Sequence, residues 1–362
     1  MADRVTILGD GAMGTVCSIL LSQGGHEVTM WGAFEDVIQR LLQDREQRTL
    51  LPGVRIPPNV RLTGRDAECF AGATLIVSAI PTQFVRSAWK RLARHVPPRV
   101  PVVSVAKGIE TGTLMRPTQI IADVLGPSGM EGRSLAVLSG PNIAAELARY
   151  LPATSVVASD DAQLARRVQA AMSTQWLRIY TNADVVGVEL AGATKNVIAI
   201  AAGIIDGLAA GTNAKAALVT RGLVEIMRLG VAMGAKAETF AGLAGLGDLI
   251  TTCVSPEGRN RRVGEQIGKG RKLEAILAEM DSVAEGVPTT KAVMELSRRF
   301  HVEMPITEAV HAVLFEGKDA IQALSELMSR EPKPEATVDE TESRKGFMPA
   351  PGNVSGARVT GQ

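Results

Sequence analysis

Short β-branched apolar runs alternate with amphipathic stretches through the first half of the chain. Val5–Leu8, Val28–Trp31, Leu75–Ala79, Val100–Val105, Leu135–Leu138 and Ser155–Ala158 read as strands, and the segments 34–47, 82–95 and 160–172 between them carry helical periodicity. Strands that alternate with helices predict a mostly parallel sheet covered on both faces, an α/β architecture. From about Asp184 the strand signal stops. Val185–Leu208, Ala214–Met233, Asn260–Ile267, Leu273–Glu279, Thr289–Arg299 and Thr307–Phe315 all read as helices joined at Gly or Pro, so an all-α domain over 184–330 is expected to follow an α/β domain over 1–183. Residues 331–362 are rich in Pro, Gly and charge and poor in large apolar groups, which predicts a disordered tail.

Composition narrows the picture. The chain has 362 residues, 46% of them hydrophobic, enough for two cores, and 39 Lys+Arg against 38 Asp+Glu give a net charge of +1. Without a bulk field, neither nucleic acid nor an anionic membrane is an expected partner, and any anionic ligand must be met locally. Cys17, Cys69 and Cys253 lie far apart, with no metal spacing and no CxxC, so they read as small core residues of a reducing compartment and no metal is expected. The N-terminus enters a strand almost at once without a signal-peptide pattern, pointing to the cytoplasm. The apolar stretch 185–210 is interrupted by Glu189, Lys195, Asn196 and Asp206, which suits a helix buried in protein and not a lipid span.

Five segments carry candidate chemistry. In ILGDGAMGTV, Gly9, Gly11 and Gly14 form GxGxxG between the first strand and the first helix. There the glycines permit a tight turn, close approach to a pyrophosphate and close helix packing, and helix N–H groups face the phosphates. The residues after strand two, Gly32, Ala33, Phe34, Glu35 and Asp36, place no acid squarely at the strand end and no base before Arg40, which tilts the cofactor from NADP toward NAD. Lys107, in VSVAKGIE, is either a solvated loop lysine or a side chain facing the crevice at the strand ends. SGPN, 139–142, offers ordinary capping or backbone amides for an anion. Lys195 and Asn196 lie in AGATKNVIAIAAG, where a buried ammonium costs several kcal/mol unless a partner or crevice meets it, although a snorkelling surface lysine fits the pattern too. AGLGDL places Asp248 before a helical run. Gly258, Arg259 and Asn260 then open a helix that is either a solvated basic cluster or a phosphate clamp.

Taken in order, GDGAMGT, VAKGIE, SGPNIAAELA, ELAGATKNVIAIAAGIIDGL, AGLGDL, GRNRR, VAEG and VEMPITE resemble the bacterial-type NAD(P)-dependent glycerol-3-phosphate dehydrogenases over about residues 4–330. The resemblance implies an N-terminal Rossmann-type doubly wound sheet followed by an all-α C-terminal domain. It implies reversible hydride transfer between NAD(P)H and dihydroxyacetone phosphate, in the service of phospholipid synthesis, and a homodimer. Lys195 is implied as the proton-transferring residue with Asp248 as its partner. Lys107, Gly140, Asn142, Lys195, Asp248, Gly258, Arg259 and Asn260 are implied to touch substrate. Gly9, Gly11, Ala12, Met13, Gly14, Ala33, Lys107, Ala144, Arg259, Val283 and Glu285 are implied to touch cofactor. Six positions depart from the family pattern. Ala12 and Met13 replace Ser or Ala followed by an aromatic residue, Asn142 stands where Thr is usual, Gly258 where Ser is usual, and Ala33 and Phe34 where His or Arg is common. Asn142 keeps a donor and Gly258 its main-chain N–H. Two rivals to this reading are another two-domain hydroxyacid or ketopantoate-type reductase and a nicotinamide-binding sensor without catalysis.

Overall fold

The computed structural model describes residues 2–331, so the expected tail lies, from residue 332 on, outside the described residues. Eight strands form one sheet: β1 (Arg4–Leu8), β2 (Glu27–Trp31), β3 (Arg61–Thr63), β4 (Leu75–Ser78), β5 (Val102–Ser104), β6 (Leu135–Ser139), β7 (Ala153–Ala158) and β8 (Leu177–Asn182). Their order is β3-β2-β1-β4-β5-β6-β7-β8. All neighbours are parallel except β6 and β7, which pair antiparallel with Val137 opposite Ala158. The segment between them carries a single five-residue helix and returns the chain at the same end of the sheet, so β7 runs backward.

The helices between strands are α1 (Ala12–Gln23), α2 (Glu35–Asp44), α3 (Thr82–Leu92), α4 (Pro117–Met130), α5 (Ala144–Ala148) and α6 (Ala162–Met172). Side chains of alternating parity along each strand go to opposite faces. Ile7, Met30 and Val77 pack in one layer with Val16 and Leu20 of α1, Ile38 of α2 and Val168 of α6. Leu8, Trp31 and Ile76 pack in the other with Val85 and Trp89 of α3 and Ile120 of α4. The expected α/β layering is therefore present. Two strands escaped the sequence pattern. β3 has only three residues, and β8 alternates buried Leu177 and Ile179 with exposed Arg178 and Tyr180, as an edge strand does, with no continuous apolar run.

Helices follow from residue 185: α7 (Val185–Gly207), α8 (Thr212–Ala232), α9 (Ala237–Ala241), α10 (Asp248–Val254), α11 (Arg259–Gly268), α12 (Leu273–Ala278), α13 (Gly286–Arg299), α14 (Pro305–Phe315) and α15 (Ala320–Met328). A π turn, Leu243–Gly247, leads into α10. The 23-residue α7 is long and apolar enough to span a bilayer, yet its apolar window is wholly buried inside the protein, as the sequence suggested. Its start is fixed by Asp184, whose carboxylate accepts from the Gly187 N–H at 2.8 Å, the Lys236 N–H at 2.9 Å and the Thr239 hydroxyl at 2.7 Å. Its buried Glu189 accepts from Arg116 and from the N–H and hydroxyl of Thr118, at 2.8 and 2.7 Å, which ties α7 to the start of α4. Burial pushes that carboxyl upward against the pull of Arg116.

Glycines set the distance between α7 and α11. A Cβ on Gly203 would stand 1.9 Å from the Arg261 carbonyl oxygen, and one on Gly264 would stand 1.9 Å from that of Ile200. Neither backbone can move aside, so the two helices touch main chain to main chain, and the start of α11 is held beside the middle of α7. Gly264→Ala is therefore expected to lower stability by about 1–3 kcal/mol or more through overpacking. The check is the urea midpoint, and an unchanged midpoint would contradict the close contact.

Candidate active site

A sheet of this order reverses its winding between β1 and β4, and ligands of such sheets bind in the crevice at the strand ends there. The glycine turn stands over that point. Gly9 has φ +117°, and a Cβ on it would lie 2.7 Å from the Ala79 carbonyl oxygen just past β4. A Cβ on Gly14 would lie 2.0 Å from the Gly9 carbonyl oxygen, so α1 packs against the turn only because Gly14 has none. A Cβ on Gly11 would meet only Leu50, at 3.7 Å, and no side chain caps α1. The turn thus offers an open helix N-terminus to an anion, and these residues fit the pyrophosphate of a dinucleotide. Ala12 and Met13 form the first turn, partly buried against the sheet core, as is Ala144 of α5. Ala33 follows β2 and accepts from Arg91 at 2.9 Å through its carbonyl. Phe34 beside it is 67% exposed, an unusual state for so large an apolar ring.

Beyond the β5 end lies a cluster of charges. Lys107 donates to the Gly140 carbonyl at 3.0 Å, to Asn142 Oδ1 at 2.9 Å and to Asp248 Oδ2 at 2.7 Å. Lys195, in the middle of α7 and 4% exposed, donates to Asp248 Oδ1 and to the Thr252 hydroxyl. One carboxylate, itself 2% exposed, is thus shared by two ammonium groups that lie 88 residues apart in sequence. Lys107 is therefore not the solvated loop lysine, nor Lys195 the snorkelling one. Asn196 donates to the Lys107 carbonyl at 2.8 Å and fixes the loop that carries it. Asn142 bridges Lys107 to Ser155, donating to its hydroxyl at 3.1 Å.

The electrostatics follow from this sharing. Burial pulls Lys195 down to about 8 from 10.5, with Asp248 opposing the shift and the Lys107 charge adding to it. Asp248 is held below the usual carboxylate range because Lys107 and Lys195 together outweigh its own burial. The cluster sums to one excess positive charge, and a ligand oxygen that gains negative charge would balance it.

The third group stands at the start of α11. Arg259 donates to the Val283 carbonyl at 3.0 Å and keeps its remaining donors exposed, as a phosphate fork requires. Asn260 accepts from the Gly286 N–H at 2.9 Å, and a Cβ on Gly286 would lie 2.8 Å from the Asn196 carbonyl, so α13 links the start of α11 to the lysine helix. Glu285 accepts from the Thr82 N–H at 2.8 Å, at the start of α3. Gly258 differs from expectation: its N–H donates to the Ser255 carbonyl at 3.1 Å, because the turn into α11 uses that amide itself. The neighbouring Arg261 of the RNRR run is structural, binding Asp206 at 2.7 Å and the Ser255 carbonyl at 3.0 Å.

Neither Thr252 nor Ser139 is singled out by the sequence alone, and Asn196 is given no role there. Thr252 lies one helical turn beyond Asp248, a spacing that would have placed it on the same face of α10. Ser139 has a buried hydroxyl without a partner among the described residues, and Gly192 of α7 leaves room for it: a Cβ there would lie 2.8 Å away.

A dinucleotide turn at the switch point of a doubly wound sheet, beside a buried lysine–carboxylate–lysine cluster, defines a nicotinamide-dependent oxidoreductase. Comparison with known proteins sharpens the class. Residues 4–165 match the family model described as NAD-dependent glycerol-3-phosphate dehydrogenase N-terminus, and residues 184–325 match the corresponding C-terminus. The chain is 50% identical to a glycerol-3-phosphate dehydrogenase [NAD(P)+] of Salinibacter ruber, covering 92% of this chain and 97% of that one. It is 45% identical to that of Citrifermentans bemidjiense, over 92% and 99%. The crystal structure of glycerol-3-phosphate dehydrogenase from Coxiella burnetii superposes with a TM-score of 0.86 at 34% identity, over 91% of this chain and 99% of that one. The chain belongs to the NAD-dependent glycerol-3-phosphate dehydrogenase family.

Asp248→Asn removes the carboxylate between two ammonium groups. Breaking a buried pair in this way typically costs about 3–5 kcal/mol, so the variant is expected to lose that much at pH 7. Without that negative charge, Lys195 is depressed further below its unfolded value of 10.5. The folded state then binds fewer protons than the unfolded one, and stability recovers as pH rises toward 10.5. Urea midpoints between pH 7 and about pH 10 test this. No loss at pH 7, or a further loss on raising pH, would contradict it.

Proposed function

We propose that this chain interconverts dihydroxyacetone phosphate and glycerol 3-phosphate, with Lys195 giving and taking the proton. The observation that carries the proposal is the Asp248 carboxylate held between Lys107 and Lys195. A nicotinamide dinucleotide on the glycine turn supplies the hydride donor or acceptor. The chain's own residues do the rest. Lys195, drawn down to about 8, is mostly ammonium at neutral pH and still weak enough in its hold to release a proton to an alkoxide. Asp248 and Thr252 fix the direction of its Nζ, so the proton leaves along one line. In the oxidising direction neutral Lys195 accepts the hydroxyl proton. Lys107 adds a second positive charge on the side of Gly140 and Asn142, which favours negative charge on a ligand oxygen.

Arg259 and Asn260 serve in this reading as the phosphate clamp, through exposed guanidinium donors and the Asn260 amide. Ala12, Met13, Ala33, Ala144, Val283 and Glu285 line the dinucleotide. The first 183 residues act as the cofactor domain and residues 184–330 as the catalytic one. The product suits phospholipid synthesis, the three buried free thiols suit the cytoplasm, and the working form is a homodimer.

The test is oxidation of NADH or NADPH with dihydroxyacetone phosphate and with unphosphorylated dihydroxyacetone. Turnover is expected only with the phosphorylated ketone, and equal turnover with both would remove the clamp. Lys195→Ala is expected to lower kcat about 10²–10⁴-fold, the usual contribution of a general acid–base group, with NADH binding unchanged. Near-normal turnover in that variant would take the proton from another group.

A further inference from the structure

β1 and β2 are parallel neighbours in which Leu8 pairs with Trp31, and the Gly9 N–H donates to the Trp31 carbonyl at 2.9 Å. Their C-terminal ends are therefore side by side. In sheets of this class the adenosine ribose of a bound dinucleotide lies at the end of the second strand, where an acidic side chain usually receives its hydroxyls. Here that position is Gly32, which has no side chain. The space is filled from the neighbouring strand: a Cβ on Gly32 would stand 2.5 Å from Asp10 Oδ2. Asp10 lies inside the glycine turn itself, between Gly9 and Gly11, and Gln47 holds its backbone carbonyl at 2.8 Å. The carboxylate thus reaches the corner only because residue 32 is glycine.

Asp10 Oδ2 is buried and has no hydrogen-bond partner among the described residues. A buried carboxylate oxygen without a donor is costly, and such an oxygen in a binding crevice is satisfied by a ligand that donates. We propose that Asp10 receives the 2′-hydroxyl of the adenosine ribose and excludes a 2′-phosphate, so that this chain takes NAD(H) in preference to NADP(H). The inference rests on the dinucleotide site proposed above. The soft torsion about Cβ–Cγ of an aspartate lets either oxygen turn to the hydroxyl. A ribose hydroxyl donates to the carboxylate, whereas a phosphate dianion has no proton to give and adds like charge.

The surrounding charges favour the same outcome. Glu35 and Asp36 open α2 directly after this corner, and burial together with the Asp36 charge pushes the Asp10 carboxyl upward. The arginines of this region already have carboxylate partners: Arg40 pairs with Asp36 at 3.0 Å, Arg65 with Glu68 at 2.8 Å and Arg91 with Asp66 at 2.8 Å. Arg91 is also spoken for by the Ala33 carbonyl and lies over the Trp31 ring at 5.2 Å. A 2′-phosphate would have to break one of these pairs to find its counter-charge.

The experiment is equilibrium binding to the full chain, followed by the fluorescence of the reduced nicotinamide. The probes are NADH, NADPH and the reduced form of NAD lacking the 2′-hydroxyl. Wild type is expected to bind NADH about tenfold or more tighter than either of the others, the scale of one hydrogen bond to a charged group. Asp10→Asn is expected to bring the three affinities within a few-fold of one another. Equal or tighter binding of NADPH by wild type overturns the proposal, as does a 2′-deoxy probe that binds like NADH; neither result depends on a variant that folds. An unchanged ratio in Asp10→Asn overturns it too. Failure of wild type to bind any of the three would instead overturn the dinucleotide site, and this proposal with it.

Discussion

A single carboxylate between two lysines is the interaction on which the rest of this molecule depends. Asp248 binds Lys107 with one oxygen and Lys195 with the other; Asp248 and Lys195 are buried and Lys107 is partly buried. Alone, the buried Lys195 ammonium would be expelled or neutralised by burial. Sharing one anion keeps both in place with one excess charge. That excess suits a ligand oxygen as it becomes negative, while the Asp248 carboxylate holds Lys195 at about 8 against burial and the Lys107 charge.

Holding three side chains from distant parts of the chain to hydrogen-bond distances takes rigid supports. Lys107 rides on the end of β5, backed by Asn142 and by the Asn196 amide. Lys195 is centred on α7, a helix buried along its length, capped by Asp184 and anchored to α4 through Glu189. Asp248 and Thr252 stand on α10, one turn apart. The glycine contacts hold α11 against the second half of α7, and Gly286 stands between Asn260 of α11 and Asn196, the residue after the lysine. Packing, capping and the placement of the lysine are not separable here, because the helix that carries the lysine is also the core of the helical half.

Much of this was legible beforehand, where a local rule applies. The alternation of apolar runs gave the layered sheet, the glycines between β1 and α1 gave the dinucleotide turn, and an ammonium in an apolar helix required a partner. Features that depend on non-local meetings were not legible. Spacing along the chain does not reveal that Lys107, 141 residues before Asp248, binds its second oxygen. The reversed β7 depends on how a short connection returns, and β8 hides because an edge strand alternates. Gly258 looked like a free amide, but the turn before α11 consumes it. The residues after β2 offer no acid squarely at the strand end, and only the fold shows that the Asp10 carboxylate of the neighbouring glycine turn occupies the space beside Gly32.

The most direct test of the central claim is kcat/KM, which reports the ligand-free enzyme, measured in both directions from about pH 6 to pH 10, with dihydroxyacetone phosphate reduced in one series and glycerol 3-phosphate oxidised in the other. With Lys195 as the proposed proton carrier, ketone reduction requires it charged and alcohol oxidation requires it neutral. Reduction should therefore fall, and oxidation rise, through a common turning point near pH 8. Two profiles that move in the same direction, or that show no titration within about one unit of pH 8, would contradict a proton carried by Lys195.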